Sequence, residues 1–268
     1  MSLLSERWRN RLLKGAGATV IGFLWFPLIV MVLLSFGSNA YATFPMGDLT
    51  LQWYEAAFAD TELLISILNT LIVASISAVL ATVLGLMGAL ALVRREFSFK
   101  SGFRILTIVP MIIPGVVMGI ALLVLFQTIA SSLLSLITVI ITHALYVMPF
   151  ALLTISSQLY GFDRSVEEAG RDMGASRSEV LKTITLPQLA PSIAAGGLLA
   201  FIRSFSEFIR AYFVSGGQVV FTIKVWTMLN HELTPKINAI SSIVMFGLIG
   251  ILLLAYRFGS QSMAEQLY

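Results

Sequence analysis

Three charged residues, Arg203, Glu207 and Arg210, stand in an otherwise apolar stretch of this chain. A charge in hydrocarbon is expensive and marks either a solute pathway or an ion pair that docks one helix on another. Spacings of four and three put all three residues on one face of a helix. Two readings stay open: an ion-pair cluster, or a solute path lined by Ser204, Ser206 and Glu207 with the two arginines beside them. His143, near Tyr146 and Pro149, has no second histidine or suitably spaced carboxylate in the sequence, so it reads as a hydrogen-bonded helix contact rather than a metal ligand. The chain has no cysteine, which excludes disulfides, thiolate metal sites and cysteine nucleophiles. It also has no His-Glu-x-x-His, no Gly-x-Ser-x-Gly, no paired intramembrane aspartates and no phosphate-binding Gly-x-x-x-x-Gly-Lys-Ser/Thr loop. No catalytic residue, metal site or resident cofactor is therefore read on it, and it cannot hydrolyse ATP alone.

The elements that must position these residues follow from composition. With 57% apolar and 12% charged positions among 268 residues, there is too little polar surface to cover a soluble globule of this size. Lipid must be the solvent. A spanning helix takes about 20 mainly apolar residues, because each backbone polar group has to be bonded within its own segment. Six apolar segments satisfy this, at 16–36, 63–93, 105–127, 133–159, 192–213 and 238–256. The fold class is an all-α integral membrane protein of six transmembrane helices, a single domain over 1–268. The first segment is too long for a signal-peptide core and reads as a retained span. Pro110 and Pro114 are expected to kink the third. Gly85, Gly88, Gly196 and Gly197 permit close helix approach, and Asn69, Thr70 and Gln127 are polar groups for interhelical bonds or for the path.

Lysine and arginine placement sets the orientation. The N-terminal stretch (Arg7, Arg9, Arg11, Lys14), the loop Arg94, Arg95, Lys100, Arg104 and the loop Arg164, Arg171, Arg177, Lys182 are basic. The segment 37–61 has neither lysine nor arginine but carries Asp48, Glu55 and Asp60, and the connection at 128–132 is uncharged. This alternation puts both termini and the 160–190 loop in the cytoplasm of a multi-pass cell (inner) membrane protein. Trp25, Trp53, Tyr54 and Trp226 are candidate anchors at the outer interface, or ordinary packing. His231 and Glu232 fall in the last external loop. Basic residues in short clusters between apolar runs are topology determinants, so the net charge of +3 does not point to nucleic acid.

The 160–190 loop is the one stretch outside the membrane with helix grammar. Ser165 is a candidate N-cap with Glu168 completing a capping box. Gly174 suits a left-handed helix end, and Pro187 and Pro191 mark re-entry into the bilayer. Within it, Glu168-Ala169-Gly170, three residues, Gly174, nine residues and Ile184-x-Leu186-Pro187 resemble the signature loop of binding-protein-dependent ABC importer permeases, E-A-A, three residues, G, nine residues, I-x-L-P. Only Gly170 departs, a small-for-small change expected to leave close packing undisturbed.

The resemblance implies that the loop is a coupling helix seated in a cleft of a cytoplasmic ATPase, with Glu168, Ala169, Gly170 and Gly174 as coupling residues. It further implies two ATPase subunits that carry ATP and Mg, a second homologous permease and an extracytoplasmic substrate-binding protein, working by alternating access. Phe36-Gly37-Ser38, Gln52-Trp53-Tyr54, Leu159-Tyr160-Gly161-Phe162-Asp163 and Pro191-Ser192-Ile193-Ala194-Ala195-Gly196 are most similar to the spermidine/putrescine group. That group often has two acidic residues where this chain has Ser206-Glu207, so a polyamine and an amino-acid-derived, carboxylate-bearing or anionic solute both stay open. Arg203, Ser206, Glu207 and Arg210 are the substrate-path candidates. The rival reading is an ion-coupled secondary transporter acting without an ATPase; the signature loop argues against it.

Overall fold

A computed structural model describes residues 6–130, 134–232 and 234–265, without side-chain detail at 6–9, 130 and 254–265. The start of the fourth apolar segment and part of the 128–132 connection lie outside the described residues. The described residues form helices and no strand. Five helices are long and apolar enough to cross a membrane, or six if one bent pair counts as a broken span. The chain divides into two compact units, one from residues up to 61 with 225–254, the other from 62–224 with 255 onward.

In the first unit, α1 (Glu6–Leu34) leaves Ile21, Phe23, Leu24, Trp25 and Phe26 exposed. Five such residues within six positions cover every side of a helix, which suits lipid or another membrane chain rather than water. The segment that follows folds back through a short α2 (Gln52–Ala59). Trp53 Nε1 donates to Gly37 O at 2.7 Å, the Tyr54 hydroxyl lies 2.7 Å from Ser35 Oγ, and the Tyr54 ring sits 5.3 Å from Phe36. Trp53 and Tyr54 thus tie this segment together, whereas Trp25 and Trp226 are exposed. At the start of α12 (Lys236–Glu265), Lys236 pairs with Asp60 at 2.6 Å.

The second unit is built around α6 (Leu136–Gly161), with α3 (Thr61–Arg94) and α9 (Leu186–Phe205) against it. The joints are glycines. A Cβ on Gly85 would meet the backbone nitrogen of Leu152 at 2.8 Å, and one on Gly196 would meet Ala151 Cα at 3.2 Å, so α6 is gripped at Ala151-Leu152 from two sides. Where hydrocarbon removes the hydrophobic drive between helices, such backbone approach and interhelical hydrogen bonds hold them together. Ser77 donates to Ile140 O at 3.0 Å, and Asn69 donates to Val219 O at 2.9 Å. Thr70 Oγ1 accepts from Phe221 N at 2.7 Å, at the start of α11 (Phe221–His231), while Gln127 is exposed. Gly85→Val should therefore lower the thermal stability of the purified protein by about 1–3 kcal/mol, since backbone cannot yield to a new side chain. Gly247→Ala, at a position with open space around it, should cost nothing. Equal melting of Gly85→Val and parent in detergent would sink this packing account.

Two spans differ from the simple helices expected. The third apolar segment is not a kinked helix but two, α4 (Lys100–Ile112) and α5 (Gly115–Ala130), bent by 103°. Pro114 lacks an N–H and forces the residue before it out of helical geometry; Ile113 is accordingly extended, with φ −62° and ψ 129°. The fifth starts before 192 and stops before 213. Helix runs from α8 (Arg177–Val180) through a π-helical turn at Leu181–Thr185 into α9. Pro187 and Pro191 both lie within this run, Pro187 at the second residue of α9. The wider turn just before Pro187 fits a residue that has no N–H to give.

Candidate functional site

The helix α7 (Arg164–Asp172) opens the 160–190 loop, and its cap is not the expected one. Asp163, not Ser165, is the N-cap, accepting from Ser165 N at 2.9 Å, and hydrogen bonds from the Ser165 backbone and hydroxyl hold its carboxyl below its usual pKa. The capping box belongs to α8 instead. Ser176 Oγ accepts from Glu179 N, and Glu179 Oε2 accepts from Ser176 N at 2.7 Å. The Ser176 hydroxyl, then its N–H, lower the Glu179 pKa. An aspartate one position outside the helix reaches the second N–H as well as a serine can, and local sequence does not separate the two.

Gly174 ends α7 with φ +93°. Its N–H donates to Arg171 O at 2.9 Å, and Ala175 N–H to Gly170 O at 3.2 Å, the paired bonds of a Schellman turn. No atom lies within 4 Å of where a Gly174 Cβ would be. The glycine is thus required by backbone conformation and not by crowding. Gly170 is the reverse case: a Cβ there would lie 2.7 Å from Ile184 Cδ1 and 3.4 Å from Val180 Cγ2. The alanine of the signature could enter only by displacing the tip of Ile184, so the departure at this position sets a tighter packing than expected.

Glu168 and Ala169 face outward, Glu168 with only a loose 3.9 Å contact to Arg171. With Val166 and Met173, 44% and 89% exposed, Ala169 makes an apolar stripe at i, i+3, i+7 on an otherwise polar helix. The neighbouring Glu167 turns inward and is the residue that sequence reasoning passed over. Its carboxylate lies 3.2 Å from Arg94 Nε at the end of α3 and accepts from Thr185 Oγ1 at 2.9 Å in the π-helical turn. Arg94 also sits over the Phe162 ring at 5.5 Å. Glu167 therefore fastens α7 to a membrane helix and to the root of α9. Its only sequence signal was an arginine ending a long apolar helix.

The second cluster lies where α9 gives way to α10 (Ile209–Val214). Helix stops at Phe205, so Arg203, Glu207 and Arg210 do not share one continuous helical face. Ser206 Oγ bonds back to the carbonyls of Ile202 and Arg203, an alternative to helical bonding that favours a break. Glu207 uses both carboxylate oxygens on Arg210, Oε1 accepting from the backbone N–H at 3.0 Å and Oε2 from Nη1 at 2.9 Å. Arg210 is buried. Its guanidinium lies 3.8 Å from the centre of the Tyr146 ring, Nε faces Met118 Sδ at 3.3 Å, and Nη2 donates to Ile113 O at 3.3 Å. One side chain thus satisfies a carbonyl freed by the α4/α5 bend and clamps it to the α9/α10 break. Arg203 and Ser206 are exposed, Arg203 over the Phe150 ring at 5.1 Å. His143 Nδ1 pairs with Ser204 Oγ at 2.9 Å, a link between α6 and α9.

The sequence family described as "Binding-protein-dependent transport system inner membrane component" matches residues 81–264. The spermidine/putrescine transport system permease protein PotC of Escherichia coli (strain K12) is 33% identical over 238 residues, 88% of this chain and 89% of that one. The putrescine transport system permease protein PotI of the same organism is 33% identical over 236 residues, 85% of this chain and 83% of its own. Among solved structures, a bacterial ABC transporter involved in the import of the acidic polysaccharide alginate superposes with a TM-score of 0.73, covering 94% of this chain and 96% of that one at 16% identity; that likeness speaks for the fold. The matched signature loop, the apolar helices and the extent of these similarities together show that the chain belongs to the binding-protein-dependent transport system inner membrane component family, as a permease component of such an importer.

Proposed function

We propose that the chain is one of two paired permeases of an ATP-driven importer, with both termini and the 160–190 loop in the cytoplasm. A substrate-binding protein delivers the solute outside, and two ATPase subunits carrying ATP and Mg drive the cycle. The observation that supports this most is the outward stripe of Val166, Ala169 and Met173 beside Glu168, on a helix fastened to α3 through Glu167 and Arg94. An apolar stripe flanked by an acid is a seat for a partner groove with a basic rim. Force applied to α7 reaches the spans through the ion pair and through the unbroken helix that leads from α8 into α9.

The solute is a small polyamine or amino-acid-derived compound. The names of PotC and PotI favour a polyamine. Occupation of Glu207 by Arg210 removes one carboxylate that a polycation would use, and leaves Arg203 beside Ser206 as the exposed charge, which favours a carboxylate-bearing solute. A ligand screen on the cognate binding protein decides between them.

The reading is tested by purifying the tagged chain from its native membranes in mild detergent and identifying by mass spectrometry what accompanies it. An ATPase and a second permease are expected. Recovery of this chain alone, competent in ion-driven uptake, would overturn the proposal in favour of a secondary transporter.

A further inference from the structure

Between the end of α3 and the inner side of the 160–190 loop lies a cavity of about 680 Å³. Five arginines line it, Arg94, Arg95, Arg164, Arg171 and Arg177, against a single carboxylate, Glu167. That carboxylate is already engaged by Arg94 and Thr185. Arg94 is partly buried, and its buried Nη2 has no hydrogen-bond acceptor. Arg171 has the loose contact with Glu168 and donates through Nε to Glu167 O at 3.2 Å. Among the described residues, Arg95, Arg164 and Arg177 have no ion-pair partner. Cations gathered this closely repel one another, and a multivalent anion relieves the repulsion.

Guanidinium groups from three elements, α3, α7 and α8, suit phosphate, whose oxygens accept paired N–H bonds from several directions. The cavity wall is not purely polar: Leu90, Ala91 and Leu181 also line it. Leu90 and Ala91 are the last turn of an apolar span, so the cavity opens where the bilayer's headgroups begin. Basic pockets at helix ends on the cytoplasmic side are the setting in which anionic lipid headgroups bind.

We propose that this cavity holds the phosphodiester headgroup of an anionic membrane lipid, which staples the 160–190 loop to the end of α3. The inference takes its leaflet from the orientation given under Proposed function. It leaves the ATPase seat free: Arg164, Glu167 and Arg171 face the cavity, whereas Val166, Ala169 and Met173 point about 160° away around the helix at 3.6 residues per turn. The lipid would thus set how firmly α7 is held without competing for its outer face.

The test is native mass spectrometry of the full chain in detergent, titrated with phosphatidylglycerol and with phosphatidylcholine of the same acyl chains. The parent should retain phosphatidylglycerol preferentially. The triple variant Arg95→Gln/Arg164→Gln/Arg177→Gln should weaken retention roughly a hundredfold, about fivefold for each arginine removed. Arg94 is left intact because it holds Glu167. The corresponding triple lysine variant, which keeps the charge, should recover much of the preference and separates lost binding from lost folding. Equal retention of both lipids by the parent, or undiminished phosphatidylglycerol binding by the glutamine variant, overturns the proposal. So does complete displacement by millimolar inorganic phosphate, which would make the cavity a free-anion site. Loss of all bound lipid when an ATPase is co-purified would show that the partner protein fills the cavity, and also overturns it. Recovery of ATPase from the same membranes is scored separately, so failure of the lipid site and failure of the importer reading are distinguishable.

Discussion

Glu207→Arg is expected to abolish recovery of folded protein at physiological temperature, or to lower its melting point by on the order of 10 °C. The substitution removes the carboxylate paired with buried Arg210 and sets a second cation beside it. Breaking a buried pair by removing one partner costs about 3–5 kcal/mol, and in a domain of this size each kcal/mol moves the midpoint by about 2–4 °C. The paired change Glu207→Arg/Arg210→Glu should rescue only in part. A glutamate at 210 could meet the new arginine, but it would face the carbonyl of Ile113 and the electron-rich face of Tyr146, both of which now receive a guanidinium. The interaction energy of that double-mutant cycle is measurable by heating the detergent-solubilised variants and following the monodisperse peak. Melting of Glu207→Arg at the parent temperature would show that the pair is not what joins the two helix breaks.

Gly174→Trp should reduce transport about tenfold or more while membrane insertion and yield stay near normal. A tryptophan has open space at this position, so bulk is not the reason. At φ +93° an L side chain is strained by about 1–2 kcal/mol, and each increment of about 1.4 kcal/mol lowers the population of this turn relative to unstrained alternatives tenfold. Gly174→Ala should therefore do nearly as much harm as Gly174→Trp, and Gly174→Asn less, since asparagine tolerates the left-handed region. Uptake by Gly174→Trp at the parent rate and normal expression would contradict the assignment of the turn to coupling.

Much of the architecture was legible because it rests on local composition and period. Runs of about 20 apolar residues announce spans without any knowledge of packing, and the glycine at 174 announces a helix end. What was not legible depends on contacts between distant residues. The break at Ser206–Phe208 is invisible to periodicity, since the apolar pattern continues through it. It is set by Ser206 bonding back to Ile202 and by Glu207 bonding forward to Arg210. The partner that completes the Arg210 clamp, the Ile113 carbonyl, lies 97 positions earlier, and exists as a free acceptor only because Pro114 bends that segment. Adjacent Glu167 and Glu168 are chemically equal in the sequence; only the position of Arg94 decides which turns inward. The signature contains Glu168, whereas the inward ion pair belongs to Glu167.

Because the sequence has no cysteine, a single cysteine can be placed on α7 to identify what its outer face touches. In a Met173→Cys variant, a maleimide-benzophenone probe would sit at the most exposed point of the α7 stripe. After illumination of native membranes, a covalent product of this chain with an ATPase subunit is expected, identified by mass spectrometry and lost when Val166 is also changed to Asp. Labelling of Met173→Cys from outside the cell, or efficient photolabelling that yields lipid adducts and no ATPase product in transport-competent membranes, would contradict the seating of α7 on an ATPase.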